Sequence, residues 1–374
     1  MTLFPTQEVG SLRKPFWLVE GLRGKGISAV AEKELAHWSQ TVPLHREPDP
    51  RAARLDPAGL PMLSPADLRD LGSLFGLRYL EKAGLDIVYD GEMRRVEMYE
   101  YPVRQATGFE FLGHVRSFDN KYYLKAACVG EVGLRAPYHV EEFQFIRDHA
   151  KGIPKVPVTG AYTLADWSWN EYYLNRQKGW KGRAERKAAQ REFAVEIARK
   201  VVRPTLRALA DAGAKILQID EPAAGTHPDE ADLVAETFNE STQGVDAKFV
   251  THICFSGYRS LFPAVFEAKR CSQFLLEFAN RDRGGIDGYE ELQYFADVND
   301  HREVGVGVLD IHRDEIETPE LVAQRVLRAA KILKDPAKVY VNPDCGLRTR
   351  SLDVAWKKLT SMVEGTRLAR SQSQ

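Results

Sequence analysis

Lys248-Phe-Val-Thr-His-Ile-Cys254 is a short apolar run that ends in two reactive side chains. Its length and its aromatic and β-branched content suit a buried strand better than a helix. Seven other runs have the same form: Gln7-Glu-Val-Gly-Ser11, Ile87-Val-Tyr-Asp-Gly-Glu92, Val156-Pro-Val-Thr-Gly160, Ile216-Leu-Gln-Ile-Asp-Glu221, Phe274-Leu-Leu-Glu277, Val304-Gly-Val-Gly-Val-Leu-Asp-Ile-His312 and Val339-Tyr-Val-Asn-Pro-Asp-Cys345. Helix-like stretches separate most of them. One spans 186–212, with Phe193, Ile197, Val201, Leu206 and Leu209 along one side and Pro204 as a kink or a new start. Another runs from Pro319 to Leu333, and Thr318-Pro319 is its start signal. Strands that alternate with helices imply a parallel sheet. Eight of them with polar residues at their C-terminal ends predict a closed α/β (β/α)8 TIM barrel with its active site at that face.

The 374 residues are expected to form a single domain over 1–374. Two stretches interrupt the repeat: residues 41–65, proline-rich and charged, read as an inserted loop, and residues 109–132 read as an extra hairpin. Residues 370–374 read as a frayed tail. Hydrophobic residues make up 44% of the chain, enough for a sizeable core and against disorder. A net charge of −1 argues against a nucleic-acid partner. No apolar run approaches the roughly 20 residues that span a bilayer, and the N-terminus has no signal-peptide pattern. Four cysteines in so long a chain are not a disulfide framework, so a reducing cytoplasm is expected. Cys128 and Cys271 read as buried core thiols.

Cys254 and Cys345 have a different setting. His252 and Cys254 are two apart, so on a strand they share a face. Glu277 and Cys345 end two other strands. Two thiolates, an imidazole and a carboxylate make a tetrahedral zinc set, which could form only in the folded chain. A domain this large needs no metal staple, which favours chemistry over structure. The bland alternative is a hydrogen-bonded core histidine with inert cysteines; for a lone histidine it would be preferred.

The ordered motifs resemble the catalytic C-terminal barrel of cobalamin-independent methionine synthases. They are Val-Gly-Ser at 9–11, Asp-Gly-Glu at 90–92, Thr-Gly at 159–160 with Trp167-Ser168, and Ile-Asp-Glu-Pro-Ala at 219–223. Thr-His-Ile-Cys at 251–254, Leu-Asp-Ile-His at 309–312 and Asn-Pro-Asp-Cys-Gly-Leu-Arg-Thr-Arg at 342–350 complete the series. The resemblance implies a homocysteine methyltransferase of methionine biosynthesis. It implies that His252, Cys254, Glu277 and Cys345 bind zinc, and that Glu92 and Asp220 hold the homocysteine ammonium. Val9, Gly10 and Ser11 would hold its carboxylate, His312 would protonate the departing methyl carrier, and Trp167 would stack on the donor. For Trp167 plain packing is an equal alternative, because Trp169, Tyr172 and Tyr173 follow closely.

The resemblance is selective. The family's N-terminal barrel has no counterpart here, and a glutamate that reads the pterin is replaced by Thr226. In the hairpin stretch, Lys121-Tyr122 stands where the family has an Arg-Cys pair. The expected enzyme is therefore a core-type methionine synthase whose donor is something other than folate polyglutamate. A methylated corrinoid protein or an accessory methyl-supply protein would fit. The nearest rival is an alkyltransferase of the epoxide–coenzyme M type, but a sulfonate substrate would want cations where Glu92 and Asp220 stand. A zinc- and thiol-binding barrel without activity is the other rival, and it would have no use for His312.

Overall fold

The computed structural model describes residues 2–24, 26–42, 44, 59–116, 122–177, 181–255, 257–283 and 287–373. Ten strands are found there: β1 Ile87–Val88, β2 Ala106–Arg116, β3 Tyr122–Leu134, β4 Ile153–Thr159, β5 Trp169–Asn170, β6 Ile216–Asp220, β7 Lys248–Ile253, β8 Cys271–Leu276, β9 Glu303–Leu309 and β10 Val339–Pro343. Seven form one sheet in the order β1-β4-β6-β7-β8-β9-β10. The β1–β4, β6–β7 and β9–β10 pairs are parallel. These seven strands coincide with seven of the eight runs, and helices follow in the α/β manner. Their inward residues are almost wholly buried, as expected for strands covered on both faces.

The first run behaves differently. Thr6 and Gln7 form isolated parallel bridges to Val341 and Ile87, and Glu8 N donates to Ile87 O at 3.4 Å. Gln7 N donates to Val341 O at 2.9 Å and Ile87 N donates to Thr6 O at 3.0 Å. Past Gly10 the chain leaves this ladder, and Leu12 N donates to Gly91 O at 3.0 Å.

By its internal contacts the chain divides into two compact units. The first comprises Met1–Arg94, Phe145–Lys155 and Leu276–Gln374; the second comprises Arg95–Gln144 and Val156–Leu275. In the first unit, helix Pro319–Leu333 starts where Thr318 accepts a hydrogen bond from Leu321 N. Its buried side includes Val322, Val326, Ala329 and Leu333. Within the stretch 41–65, residue 43 and residues 45–58 lie outside the described residues. Helix Ala29–Thr41 precedes them, and a turn at Leu60–Met62 leads into helix Pro65–Ala83.

In the second unit, the helical stretch over 186–212 is three segments, with a new helix starting at Arg203-Pro204 as one of the two readings of Pro204 had it. Helix Arg183–Ile197 passes through a π-turn at Ala198–Val202 into helix Arg203–Asp211. Pro204 has no N–H for the ladder, so the preceding turn widens at that point. β2 and β3 are antiparallel and form a three-stranded sheet with β5. Cys128 is buried in this sheet, and burial pushes its thiol up to about 12. Cys271 is buried at the start of β8. Lys121 lies outside the described residues. Among the described residues no helix is long and apolar enough to cross a membrane.

Candidate active site and metal cluster

In the second unit, β7 carries His252 to its end and Cys254 just beyond; both are buried. His252 Nδ1 lies 3.1 Å from Leu275 O. A carbonyl oxygen only accepts, so Nδ1 carries the proton and Nε2 keeps its lone pair. Asp220 ends β6 and accepts from Gln218 Nε2 at 2.6 Å. Its neighbour Glu221 was not singled out by sequence reasoning. The Glu221 carboxylate is buried and accepts from Tyr162 N at 3.2 Å, Thr163 N at 2.8 Å and Thr163 Oγ1 at 2.6 Å. Burial pushes its carboxyl up to about 7 against those hydrogen bonds. A Cβ at position 160 would fall 2.0 Å from Glu221 Oε1, which explains the Thr-Gly pair.

Trp167 ends the short helix Ala161–Asp166. Its ring packs against Tyr123 at 5.4 Å and Tyr99 at 6.2 Å between centroids. Beside it, Asp166 Oδ1 lies 3.3 Å from His227 Nε2. Thr226 donates its N–H to Ala223 O at 2.9 Å.

In the first unit, Glu277 follows β8 and is 2% exposed. Its Oε1 lies 3.1 Å from His312 Nε2 and also accepts from Asn280 Nδ2. The hydrogen bond to Glu277 raises the pKa of His312 above the ordinary value, against its partial burial. His312 N donates to Asp310 Oδ1 at 2.9 Å, which fixes the turn after β9. Cys345 is half-buried after β10. Asp344, just before it, is fully buried and accepts from Phe278 N, Ala279 N and Asn280 N at 2.9, 2.9 and 2.7 Å. Burial, and then the charge of Glu277, push the Asp344 carboxyl up to about 8.

The other predicted residues of this unit sit on two neighbouring loops. Glu92 has φ +60°, next to Gly91 at φ +66°. A left-handed pair is strained for a glutamate and is held here by Glu92 N donating to Asp90 Oδ1 at 2.8 Å. Val9 is buried. A Cβ at Gly10 would lie 3.2 Å from Glu92 Oε1, so the 9–11 strip runs directly beside that carboxylate.

His252 and Cys254, at the end of β7, offer an imidazole nitrogen and a thiol in the second unit, and Cys345 offers a second thiol in the first; each is a ligand that could hold a metal ion. Cys254 and Cys345 both carry free thiols.

A family model for the catalytic domain of cobalamin-independent synthases matches residues 76–368. The chain belongs to that family. It is 37% identical to a methionine synthase of Thermoplasma acidophilum over 383 residues, covering 97% of each. It is 34% identical to a methionine synthase of Thermococcus kodakarensis, over 100% of this chain and 95% of the relative. The fold resembles that of a B12-independent methionine synthase from Shewanella sp. W3-18-1 in complex with selenomethionine, with a TM-score of 0.75 at 23% identity and 99% coverage of both chains. The chain is thus an enzyme of the methyltransferase class.

Proposed function

We propose that this chain is a zinc-dependent methyltransferase that moves a methyl group to the thiol of homocysteine, giving methionine, from a donor other than folate polyglutamate. The observation that carries the reading is the donor set of the family motifs, the imidazole of His252 with the thiols of Cys254 and Cys345. Two sulfurs and a nitrogen suit zinc and not the hard cations magnesium or calcium. Glu277 is the proposed fourth ligand. When bound there, zinc would hold a substrate thiol as its thiolate at neutral pH.

The other roles fall to the chain's own side chains. Glu92 and Asp220 pair with the ammonium, and charge-assisted bonds to carboxylates suit it. The 9–11 strip receives the substrate carboxylate on its backbone and on Ser11. Trp167 offers the donor the part of its ring left outside the Tyr99–Tyr123 packing. As the new sulfur–carbon bond forms, the methyl–carrier bond breaks and its electron pair leaves with the carrier. A nitrogen carrier leaves better protonated, and His312 supplies that proton. A corrinoid keeps the pair on cobalt and needs no proton. The replacement of the family's glutamate by Thr226 supports a donor unlike folate polyglutamate. A methylated corrinoid protein or an accessory methyl-supply protein is the proposed partner. We read the fold as a complete (β/α)8 barrel, with the strip at Thr6 and Gln7 as its first strand.

Zinc-loaded protein with homocysteine, supplied in parallel with methylcobalamin and methyltetrahydrofolate, tests the proposal. Methionine from methylcobalamin, with only slow formation from methyltetrahydrofolate, is the expected result. Rapid turnover with methyltetrahydrofolate would overturn the donor assignment, and no methionine from any donor would overturn the reaction.

A further inference from the structure

Asp344 is a buried carboxylate that binds no substrate in the reading above, yet its bonds lead to two of the proposed zinc ligands. It directly precedes Cys345 in the chain. Its Oδ1 takes the N–H groups of Phe278 and Ala279, and its Oδ2 takes that of Asn280. These are the three residues that follow Glu277. Asn280 then returns its side-chain amide to Glu277 Oε1, the oxygen that also faces His312. Asp344 N donates to Leu309 O at 3.0 Å, which ties the same residue to the end of β9. Gly307 leaves room for all of this, because a Cβ there would fall 2.0 Å from Asp344 Oδ1.

We propose that Asp344 is a positioning residue for the metal centre, fixing Cys345 through the chain and Glu277 through the 278–280 turn and Asn280. The inference rests on the zinc reading. A ligand set binds tightly only when its members are held before the metal arrives, and the partners that orient ligands carry much of that affinity. An asparagine at 344 keeps one acceptor for Phe278 and Ala279. Its amide would face the Asn280 N–H, donor against donor, and release the residue that orients Glu277.

The test is zinc affinity by chelator competition, with the thiolate absorption of the cobalt(II)-substituted protein as a second readout. Four proteins are compared: wild type, D344N, N280A and D300N. Asp300 is a buried partner of Arg302, and its removal controls for loss of stability alone. Zinc affinity is expected to fall about 10- to 100-fold in D344N and about 10-fold in N280A, and to hold in D300N. The cobalt spectrum should shift in the first two. Wild-type affinity in a folded D344N overturns the inference, and so does a loss in D300N that matches it. If D344N fails to fold, N280A decides: unchanged affinity there overturns the relay. Wild-type protein that binds no zinc overturns the zinc reading itself, a result distinct from all of these.

Discussion

Asp344 in the first unit and Glu221 in the second solve the same problem in different ways. Each is buried, and each stands beside a proposed site residue, Cys345 or Asp220. Each accepts backbone N–H groups from a turn after another strand, and each faces a glycine whose Cβ would lie 2.0 Å from its oxygen. Neither has a cation among those partners, and burial raises both carboxyls, to about 8 and about 7. The difference lies in what surrounds them. Asp344 uses three backbone donors, and the space at Gly307 is also bounded by Leu276 O at 2.8 Å. Glu221 uses two backbone donors and the Thr163 hydroxyl, and the space at Gly160 is bounded by Glu221 itself. The first carboxylate is held by backbone donors alone; the second is held by two backbone donors and a side-chain hydroxyl. The comparison teaches that neighbouring carboxylates in these motifs, not only the site residues, hold the strand ends in place.

The largest effect should come from the chemistry beside the first clamp. Replacing His312 by Asn should lower methionine formation from a nitrogen-type methyl donor by about 10²- to 10⁴-fold, the usual worth of a positioned acid. With methylcobalamin the loss should be under about tenfold, since cobalt needs no proton. Steady-state rates with the two donors check this. Equal losses would mean that His312 serves Glu277 and the metal cluster, not the leaving group.

A third buried carboxylate sharpens the contrast. Glu142 pairs with Arg95 at 2.6 Å and lies 3.6 Å from His139. Burial alone would raise its carboxyl, but Arg95 first and then His139 hold it well below the usual range. The folded value is depressed, so its stabilisation is present above the unfolded value of about 4.3 and fades as pH falls below it. E142Q should cost about 3 kcal/mol at pH 7, because it leaves Arg95 buried without its charge partner. The difference from wild type should shrink as pH drops below about 4. Urea titrations across pH measure both. A gap that stays constant to pH 2 would remove the ion pair as its source.

The smallest effects test the clamps against each other. G307A should destabilise by about 2 kcal/mol and G160A by about 1.5 kcal/mol, as overpacked buried sites do. Removing the opposing side chain should distinguish them. In a double-mutant cycle, E221A should relieve most of the strain of G160A, whose three nearest Cβ neighbours are all Glu221 atoms. D344A should relieve only part of that of G307A, because Leu276 O remains. Equal relief at both positions would erase the distinction between the clamps.

Much of this was legible in one dimension. Seven of the eight strands could be read from short apolar runs, because a strand covered on both faces needs little besides such residues. The start of helix Pro319–Leu333 could be read from Thr318-Pro319, because a cap is a local hydrogen bond. His252 and Cys254 could be paired, because strand geometry puts alternate residues on one face. The sequence did not carry the break at Ala198–Val202 in detail, nor the reduction of the first run to two bridges, since both depend on which partners the backbone finds. Glu221 and Asp344 were invisible as clamps for the same reason. Their acceptors meet donors some 60 residues away, and nothing local marks that. The order of strand-forming runs and the types of reactive side chain were thus determined by sequence alone. Glu277 turning to His312, and glycines yielding space to carboxylates, were decided only by tertiary structure, because hydrogen bonds and close approach act across space and not along the chain.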